Sequence, residues 1–342
     1  MAANSIALPS PISVLICTRN RPDDLVHALP GVFAQSYEDY EIVLVDQSTN
    51  DESERRVLSA YGGDPRLRYI RTPTVGLSIA RNIALSEARN EICAFTDDDC
   101  DVPSCWVTGV AAAYAEHPDT DVLFSPVHIP PDLLGKDDLR FPCLYFNDSR
   151  VLRRYEIFGM GANMSMRKSF WERVGPFDPM LGPGACMPGS DEHDWLYRAH
   201  RLRASIRLDP GNPIEHRAWR SSDQWMRLTD TYAFGDGAFA MKHLRCGDAA
   251  ALPMVARRIF YIGARGLLRV AQRKDARYEF HYVRGYWKGL WGSLRYSVDK
   301  EARLFIPPPS EPRPEGRNEP STPQSESRSQ RTARSFIEKT GT

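Results

Sequence analysis

Four carboxylates fall within five positions in the stretch Asp97-Asp98-Asp99-Cys100-Asp101, shortly after the apolar residues of EICAF. Like charges this close repel one another and raise each other's pKa, so the cluster needs a positive partner. Carboxylate oxygens are the ligands that Mg²⁺ and Mn²⁺ prefer. We therefore predict a divalent cation at this turn, with the phosphates of a substrate completing its coordination shell.

Other uses of such a cluster fit the surrounding residues less well. A calcium loop requires glycine at its sixth position, where Val102 stands. The DxDxT-like run of phosphatases with an aspartate nucleophile is absent near the N-terminus, and no P-loop motif occurs. CTRNRPDD, rather than a G-x-G-x-x-G turn, follows the first apolar run, which argues against a dinucleotide dehydrogenase. A solvated acidic turn without a ligand remains an alternative.

The elements that must position these acids are visible as alternating apolar runs and helical patterns. We predict strands at ISVLICT, YEIVLVDQSTND, RLRYIRT and EICAFTDDD, with a helix between each pair. This alternation indicates an α/β fold with a mostly parallel sheet. Ligands of such sheets bind outside the carboxyl ends of the strands, where Thr18, Asp46 and the acidic cluster stand. Asp46 also fits a purely turn-forming role in DQSTND.

Composition places few further limits on function. The chain has 342 residues, 42% apolar and 26% charged, and no net charge, so nothing in the overall charge favours nucleic-acid binding. Its seven cysteines are scattered without a CxxC motif, which disfavours a disulfide framework or zinc site and suggests a reducing cytoplasm. Neither a signal peptide nor a transmembrane helix is expected.

Seven segments resemble, in order and spacing, the inverting family 2 glycosyltransferases with the GT-A fold. They lie between Ile12 and Arg217 and read VLICTRNRPDDL, VLVDQSTND, GLSIARN, FTDDDCDVPSCWV, GANMSMRKSFWERVGPFDPMLGPG, SDEHDW and EHR. The resemblance implies a Rossmann-like sheet flanked by helices. It also implies metal-dependent transfer of a sugar from a UDP-, dTDP- or GDP-linked donor to a sugar, lipid-linked or other hydroxyl acceptor. Cell-surface polysaccharide or glycoconjugate biosynthesis is the pathway that it suggests.

The same resemblance implies roles at the donor site. Thr18 and Asp46 would contact the nucleotide base, and Arg81 would lie near the base or the phosphates. Asp97 would face the ribose.

Cation binding is implied for the end of the DxD pattern. Asp99 would bind Mg²⁺ or Mn²⁺, and Asp98 would contribute either to the cation or to the donor. His216, in EHR, matches a position that adds a metal ligand in some members. A purely structural histidine is an equally good interpretation.

The segment GSDEHDW corresponds to the family's catalytic acids at the start of a helix. Asp191 and Glu192 are both candidates for the general base, and family spacing favours Glu192. Helix capping is the alternative role for both residues. The preceding glycine- and proline-rich segment is either a loop that orders over the donor or an ordinary connection. A nucleotidyltransferase and a catalytically inactive binding protein are the alternative functions.

Three regions follow from these patterns. We predict a catalytic domain at 10–220, a basic and aromatic-rich helical region at 221–304 and a disordered tail at 305–342. Within the helical region Arg258, Arg265 and Arg269 fall near one helical face. That face would either lie on an anionic membrane surface or be solvated while the apolar side packs on the catalytic domain.

Overall fold

The computed structural model describes residues 10–136 and 139–308, and its first part alternates strand and helix. These elements are β1 (Ile12–Thr18), α1 (Pro22–Phe33), β2 (Tyr40–Asp46), α2 (Glu52–Tyr61), β3 (Leu67–Arg71), α3 (Leu77–Glu87) and β4 (Ile92–Asp97). The residues of β1, β2 and β4 are almost all buried because helices cover both faces of the sheet. The predicted α/β alternation is therefore confirmed.

Shorter strands dominate the next part of the chain. The elements are β5 (Cys100–Asp101), α4 (Trp106–Glu116), β6 (Val122–Phe124), β7 (Val127–His128), β8 (Leu139–Arg140), β9 (Arg150–Val151), β10 (Met164–Arg167), α5 (Lys168–Val174), α6 (Asp191–Arg201), β11 (Ile206–Leu208), β12 (Ile214–His216) and β13 (Arg220–Ser221). Two single-turn 3₁₀ helices, Pro131–Leu133 and Gly161–Asn163, lie between them.

The central sheet has eight strands in the order β3-β2-β1-β4-β10-β6-β11-β9. The first four are parallel to one another, whereas β10 runs antiparallel to both β4 and β6. Two apolar cores form on its faces, one under α1 and α4 and the other under α3, α5 and α6. The parallel half places the ends of β1, β2 and β4 together at one edge, where the acidic turn begins.

Three long helices and a hairpin complete the described chain. They are α7 (Ser222–Arg245), α8 (Ala251–Ala271), α9 (Arg277–Gly292), β14 (Ser297–Asp299) and β15 (Leu304–Ile306). The helices of the region predicted at 221–304 therefore end earlier than expected, at Gly292, and a 3₁₀ turn follows. Phe305 is buried, although we assigned it to the tail. Residues 309–342, most of that tail, lie outside the described residues.

Glycines allow α7 and α9 to pack closely. A Cβ built on Gly289 would overlap the carbonyl oxygen of Phe234, and one built on Gly237 would overlap that of Tyr286. Side chains at these positions would force the helices apart, so the tight crossing requires glycine. Among the described helices, none is both long and apolar enough to span a bilayer.

The predicted basic residues of α8 pair with acids of the neighbouring helices. Arg258 donates to Asp236 of α7 at 3.1 Å, and Arg265 lies 2.8 Å from a carboxylate oxygen of Glu279 on α9. Arg269 lies 3.7 Å from the same carboxylate. The arginines are thus neutralised by the neighbouring helices. The three side chains stay 37–50% exposed, which agrees with a solvated face, and contact of this face with a membrane stays a prediction.

A buried cluster of charges joins the C-terminal region to α6. The Lys242 ammonium lies 2.6 Å from Asp178 and 2.7 Å from Asp194, and all three side chains are fully buried. Asp194 also accepts from Arg198 at 3.1 Å, and Asp178 accepts from the backbone N–H of Phe305 at 2.9 Å. One lysine on α7 therefore links α6, the segment before it and β15.

Replacing this lysine should destabilise the protein strongly. Lys242→Met leaves two carboxylates buried without the ammonium, and we expect the free energy of unfolding to fall by about 3–5 kcal/mol in urea titrations. Lys288→Met, at an exposed position of α9, is the control and should change it by less than about 0.5 kcal/mol. A Lys242 variant as stable as the control would show that the cluster does not hold α6.

Candidate active site

Strand register brings the first predicted site residues together. Parallel pairing sets Thr18 beside Asp46 and Cys17 beside Asp97 at the same edge of the sheet. The acidic turn follows at once, and Thr18 Oγ1 donates to Asp98 Oδ2 at 2.7 Å. Both side chains are buried. The end of β1 and the acidic turn therefore form one site.

Arg21, which the sequence analysis did not single out, is the counter-charge for two of the acids. Its Nη1 donates to Asp98 Oδ1 at 2.7 Å and its Nη2 to Asp99 Oδ2 at 2.5 Å. It precedes Pro22, which opens α1, so the guanidinium stands at the strand-end edge. Burial, opposed by Arg21, raises the pKa of Asp98 to about 7. The sequence signal that could have revealed Arg21 is its place three residues after the first strand, in TRNRP.

A set of metal-ligating atoms lies on the other side of the same turn. One atom each from Asp97, Asp99, Cys100 and His216 falls within 4.8 Å of the others. Antiparallel pairing of β12 with β5 sets His216 opposite Cys100, and His216 Nε2 lies 3.3 Å from Asp99 Oδ1. Burial and the neighbouring aspartates raise the pKa of the Cys100 thiol well above its usual value, and a thiol is a poor ligand for hard cations such as Mg²⁺ and Mn²⁺. Two carboxylates and an imidazole remain, a set that fits Mn²⁺ or Mg²⁺.

This grouping differs in part from the expected metal ligands. Asp99 and His216 lie in it as expected. Asp98 lies outside it because its oxygens accept from Thr18 and Arg21. Asp97 also offers an oxygen to this group, and its expected contact with the ribose stays a prediction.

Arg81 lies with the candidate bases. It is 2% exposed, its Nη1 donates to Asp191 Oδ2 at 2.7 Å, and its Nη2 lies 3.0 Å from Glu192 Oε1. Burial, opposed by Arg81, raises the pKa of Asp191 to about 6. Glu192 is the more accessible acid, with its side chain 23% exposed against 6% for Asp191. Arg81 also interacts electrostatically with Asp97, so it joins the acidic turn to the start of α6.

Glycines shape the walls around this acidic pair. A Cβ built on Gly161 would overlap Oε1 of Glu192 and Nη2 of Arg81. Gly182 has a φ of +99°, and a Cβ there would lie 2.8 Å from Cγ of Asp191. The backbone can approach both acids this closely only because neither position carries a side chain.

The glycine-rich segment before α6 is attached to α3. Ser78 Oγ donates to the carbonyl oxygen of Leu181 at 2.7 Å, and Leu181 is fully buried. Trp195, just beyond the acids, is also fully buried, and its Nε1 donates to the carbonyl of Gly175 at 3.0 Å. Trp195 is therefore a core residue. Whether the segment also moves over a donor stays a prediction.

Asp46 makes the contacts of a turn former. Its carboxylate accepts from the backbone N–H of Ser48 at 2.7 Å and from the hydroxyl of Tyr69 at 2.5 Å, and the side chain is fully buried. The carboxylate therefore shapes the turn after β2. Its proposed contact with a nucleotide base stays a prediction.

Helix α7 contributes residues that no local sequence signal could reveal. Asp236 accepts from Ser190 Oγ at 2.5 Å and lies 3.0 Å from Nδ1 of His193. These two partners flank the acidic pair in sequence. Burial by itself lowers the pKa of His193. The Asp236 carboxylate outweighs this effect and raises that pKa above its usual value. The C-terminal region thus supports the catalytic segment directly.

Loss of the buried guanidinium should produce a pH-dependent instability. Arg81→Met leaves Asp97, Asp191 and Glu192 without this cation, and we expect the free energy of unfolding to fall by about 3–5 kcal/mol near pH 8. The folded-state pKa of Asp191 is about 6, above that of an unfolded carboxyl, so stability from this group is lost as pH rises towards that value. Below it the acid is protonated and needs no cation.

The measurement is urea unfolding of wild type and variant near pH 5 and pH 8. The deficit should shrink at the lower pH because the acids bind protons more readily once Arg81 is absent. Arg56→Met, which breaks an exposed pair with Glu52 and Asp23, is the control and should cost less than about 1 kcal/mol at either pH. A deficit that does not change with pH would contradict this account.

Known proteins resemble this chain in sequence. Residues 13–175, from β1 to the end of α5, match the family model described as Glycosyl transferase family 2. A glucosyl-dolichyl phosphate glucuronosyltransferase of Haloferax volcanii is 25% identical over 207 residues, 58% of this chain and 63% of that protein. An uncharacterized glycosyltransferase of Rickettsia felis is 32% identical over 98 residues, 28% of this chain and 16% of its own. The chain therefore spans less than two thirds of either relative.

A solved structure supports the fold. The mannosyltransferase PcManGT from Pyrobaculum calidifontis, in complex with GDP-Man and Mn²⁺, aligns with 84% of this chain and 88% of its own, with a TM-score of 0.58 and 17% identity. At that identity the likeness shows the fold alone. Residues 13–175, just under half of the chain, therefore match glycosyl transferase family 2, and the fold is of the GT-A type.

Proposed function

We propose that the chain transfers a sugar from a nucleotide-diphosphate donor to a hydroxyl acceptor, with inversion at the anomeric carbon. The observation that carries this proposal is the buried Arg81, which joins the acidic turn after β4 to the acidic pair that opens α6. The turn offers ligands for a cation and its diphosphate. The pair offers a proton acceptor. A donor and an acceptor can therefore meet between them.

The donor end is assigned to the acidic turn. Asp97, Asp99 and His216 would hold Mg²⁺ or Mn²⁺, which when bound stabilises the negative charge on a departing diphosphate. Arg21 adds a second positive charge at the same carboxylates. Thr18, at the end of β1, stands where nucleotides bind to sheets of this kind. UDP-, dTDP- and GDP-linked sugars are the candidate donors.

Glu192 is proposed as the general base. Its carboxylate is the more exposed of the pair, so an acceptor hydroxyl can reach it, whereas Asp191 is enclosed by Arg81 and Gly182. Glu192 would take the hydroxyl proton while the acceptor oxygen forms a bond to the anomeric carbon. The bond from that carbon to the diphosphate oxygen breaks in the same displacement, which inverts the configuration. Asp191 would hold Arg81 in place.

The acceptor and pathway follow from similarity. The name of the Haloferax volcanii relative includes a glucosyl-dolichyl phosphate, which supports a lipid-linked acceptor as one candidate. Assembly of a cell-surface polysaccharide or glycoconjugate is the pathway we propose. A sugar hydroxyl that is free of lipid is the other acceptor to be tested.

Donor binding should require both the cation and Asp99. We expect one of the UDP-, dTDP- or GDP-sugars to bind with Mn²⁺ in calorimetric titrations and to be released by a chelator. Asp99→Ala should weaken binding at least roughly tenfold because a cation ligand is lost. Asp119→Ala, in the exposed turn after α4, is the control. No metal-dependent binding of any donor, or equal binding by wild type and Asp99→Ala, would refute the proposed donor site.

Removing the base should affect chemistry and not donor binding. Glu192→Gln should lower kcat roughly 10²–10⁴-fold because no carboxylate accepts the acceptor proton. Asp191→Asn should lower it less, and Glu116→Gln, exposed at the end of α4, should not change it. The measurement is the initial rate of transfer with the donor identified by titration. A larger loss in Asp191→Asn than in Glu192→Gln would assign the base to Asp191.

A further inference from the structure

We propose that the outer face of α8 and α9 docks on an anionic lipid bilayer. This surface, the α8–α9 face, consists of exposed large apolar side chains, chiefly Phe260, Leu267, Leu268, Phe280, Trp287 and Trp291. The inference goes beyond the proposed sugar transfer and does not depend on it.

Helix α8 is apolar on two sides. Ile262 and Gly266 are buried on its inner side, while Phe260 and Leu267 are 79% and 67% exposed on its outer side. Positions 260, 264, 267, 268 and 271 share one helical face and are all apolar, and the helix contains no Asp or Glu. An apolar stripe of this kind in water is typical of a surface that is covered by a partner.

Helix α9 extends the same surface with aromatic and basic residues. Trp287 and Trp291, one turn apart, are 45% and 63% exposed, and Lys288 is exposed beside them. A Cβ built on Gly266 of α8 would lie 3.7 Å from Cε1 of Phe280, so this ring borders α8 and joins the two helices into one face. Tryptophan and phenylalanine beside basic side chains are typical of helices that lie at a membrane interface.

An arginine-lined cleft adjoins the start of this face. It has a volume of about 600 Å³, and Arg153, Arg154 and Arg257 line it together with Arg150, which is paired with Glu156 of the same wall. Arg257 lies one helical turn before Phe260 and, like Arg153 and Arg154, is exposed. Guanidinium groups bind phosphate through paired hydrogen bonds. The phosphates of anionic lipids would therefore be held next to the apolar stripe.

Charge favours a bilayer over a second copy of this chain. Residues 241–304 carry 14 Lys and Arg against 5 Asp and Glu. A symmetric dimer through the α8–α9 face would bring identical basic side chains, including Arg284 and Lys288, towards one another. An anionic membrane surface complements the same charges. Arg258, Arg265 and Arg269 pair with acids of α7 and α9, and the outer stripe is left free to contact acyl chains.

The test is co-sedimentation of the full chain with vesicles. We expect binding to phosphatidylcholine vesicles that contain phosphatidylglycerol, at least roughly tenfold weaker binding to phosphatidylcholine alone, and weakening by added salt. Phe260→Ser combined with Leu267→Ser should reduce binding to the anionic vesicles roughly tenfold or more because two large side chains no longer enter the bilayer. Leu58→Ser, at an exposed apolar position of α2, is the matched control.

A second pair of variants separates charge from apolar contact. Arg153→Ala combined with Arg257→Ala should reduce the preference for anionic vesicles, whereas Arg55→Ala on α2 should not. Urea unfolding of every variant checks that the fold is intact, and metal-dependent donor binding should match wild type in all of them. That readout distinguishes failure of this inference from failure of the proposed transferase activity.

Three results would overturn the inference. The first is no binding of the wild-type chain to anionic vesicles. The second is equal binding by the control and the Phe260 and Leu267 double variant, both folded. The third is sedimentation-equilibrium data without vesicles in which the double variant abolishes self-association while vesicle binding is unchanged, because the face would then cover a second copy.

Discussion

Mutual repulsion among five carboxylates at one edge of the sheet is the constraint on which the structure of the site depends. Asp97 ends β4, Asp98 and Asp99 follow it, and Asp191 and Glu192 open α6. Two guanidinium groups make this crowding compatible with burial, Arg21 from the start of α1 and Arg81 from within α3. Because two cations do not neutralise five acids, the edge retains an affinity for a further positive charge. In the proposed reaction a cation that arrives with a diphosphate would supply that charge.

The C-terminal helices hold this arrangement in place. The family-matched segment ends at Gly175, before α6 begins at Asp191. The position of α6 is set by the buried contacts of Lys242 with Asp178 and Asp194 and by the contact of Asp236 with His193. Rigid support of this kind keeps a general base within the small tolerance that catalysis requires. The catalytic segment and the helical region therefore function as one structural unit.

The C-terminal helices form ion pairs with one another and expose apolar side chains on their outer face. Acids on α7 and α9 pair with the arginines of α8, which leaves mostly apolar side chains on the outer face. A helix that satisfies its charges internally exposes apolar surface at a cost in water, and a bilayer interface removes that cost. For an enzyme with a lipid-linked acceptor, such a face would hold the catalytic domain close to its substrate.

The sequence alone determined the features that depend on local pattern. Alternating apolar runs specified the strands and helices from β1 to β4, and the acidic turn, Asp191 and Glu192 stood out by composition and order. Parallel pairing then required Thr18 and the acidic turn to meet, because strand ends in such a sheet share an edge. The order of the motifs was sufficient to reveal the family resemblance, because seven short segments in order are far more specific than any one of them.

Only the tertiary structure decided which charge meets which. It paired Arg21 with Asp98 and Asp99, placed Arg81 beside the acidic pair, grouped Asp97 rather than Asp98 with His216, and paired the arginines of α8 with acids of α7 and α9. These outcomes depend on side chains 77 to 119 residues apart or on a helix packed alongside, and spacing within one element carries no information about them. The preference of a buried charge for its nearest partner, and not its position in a motif, determines where it points.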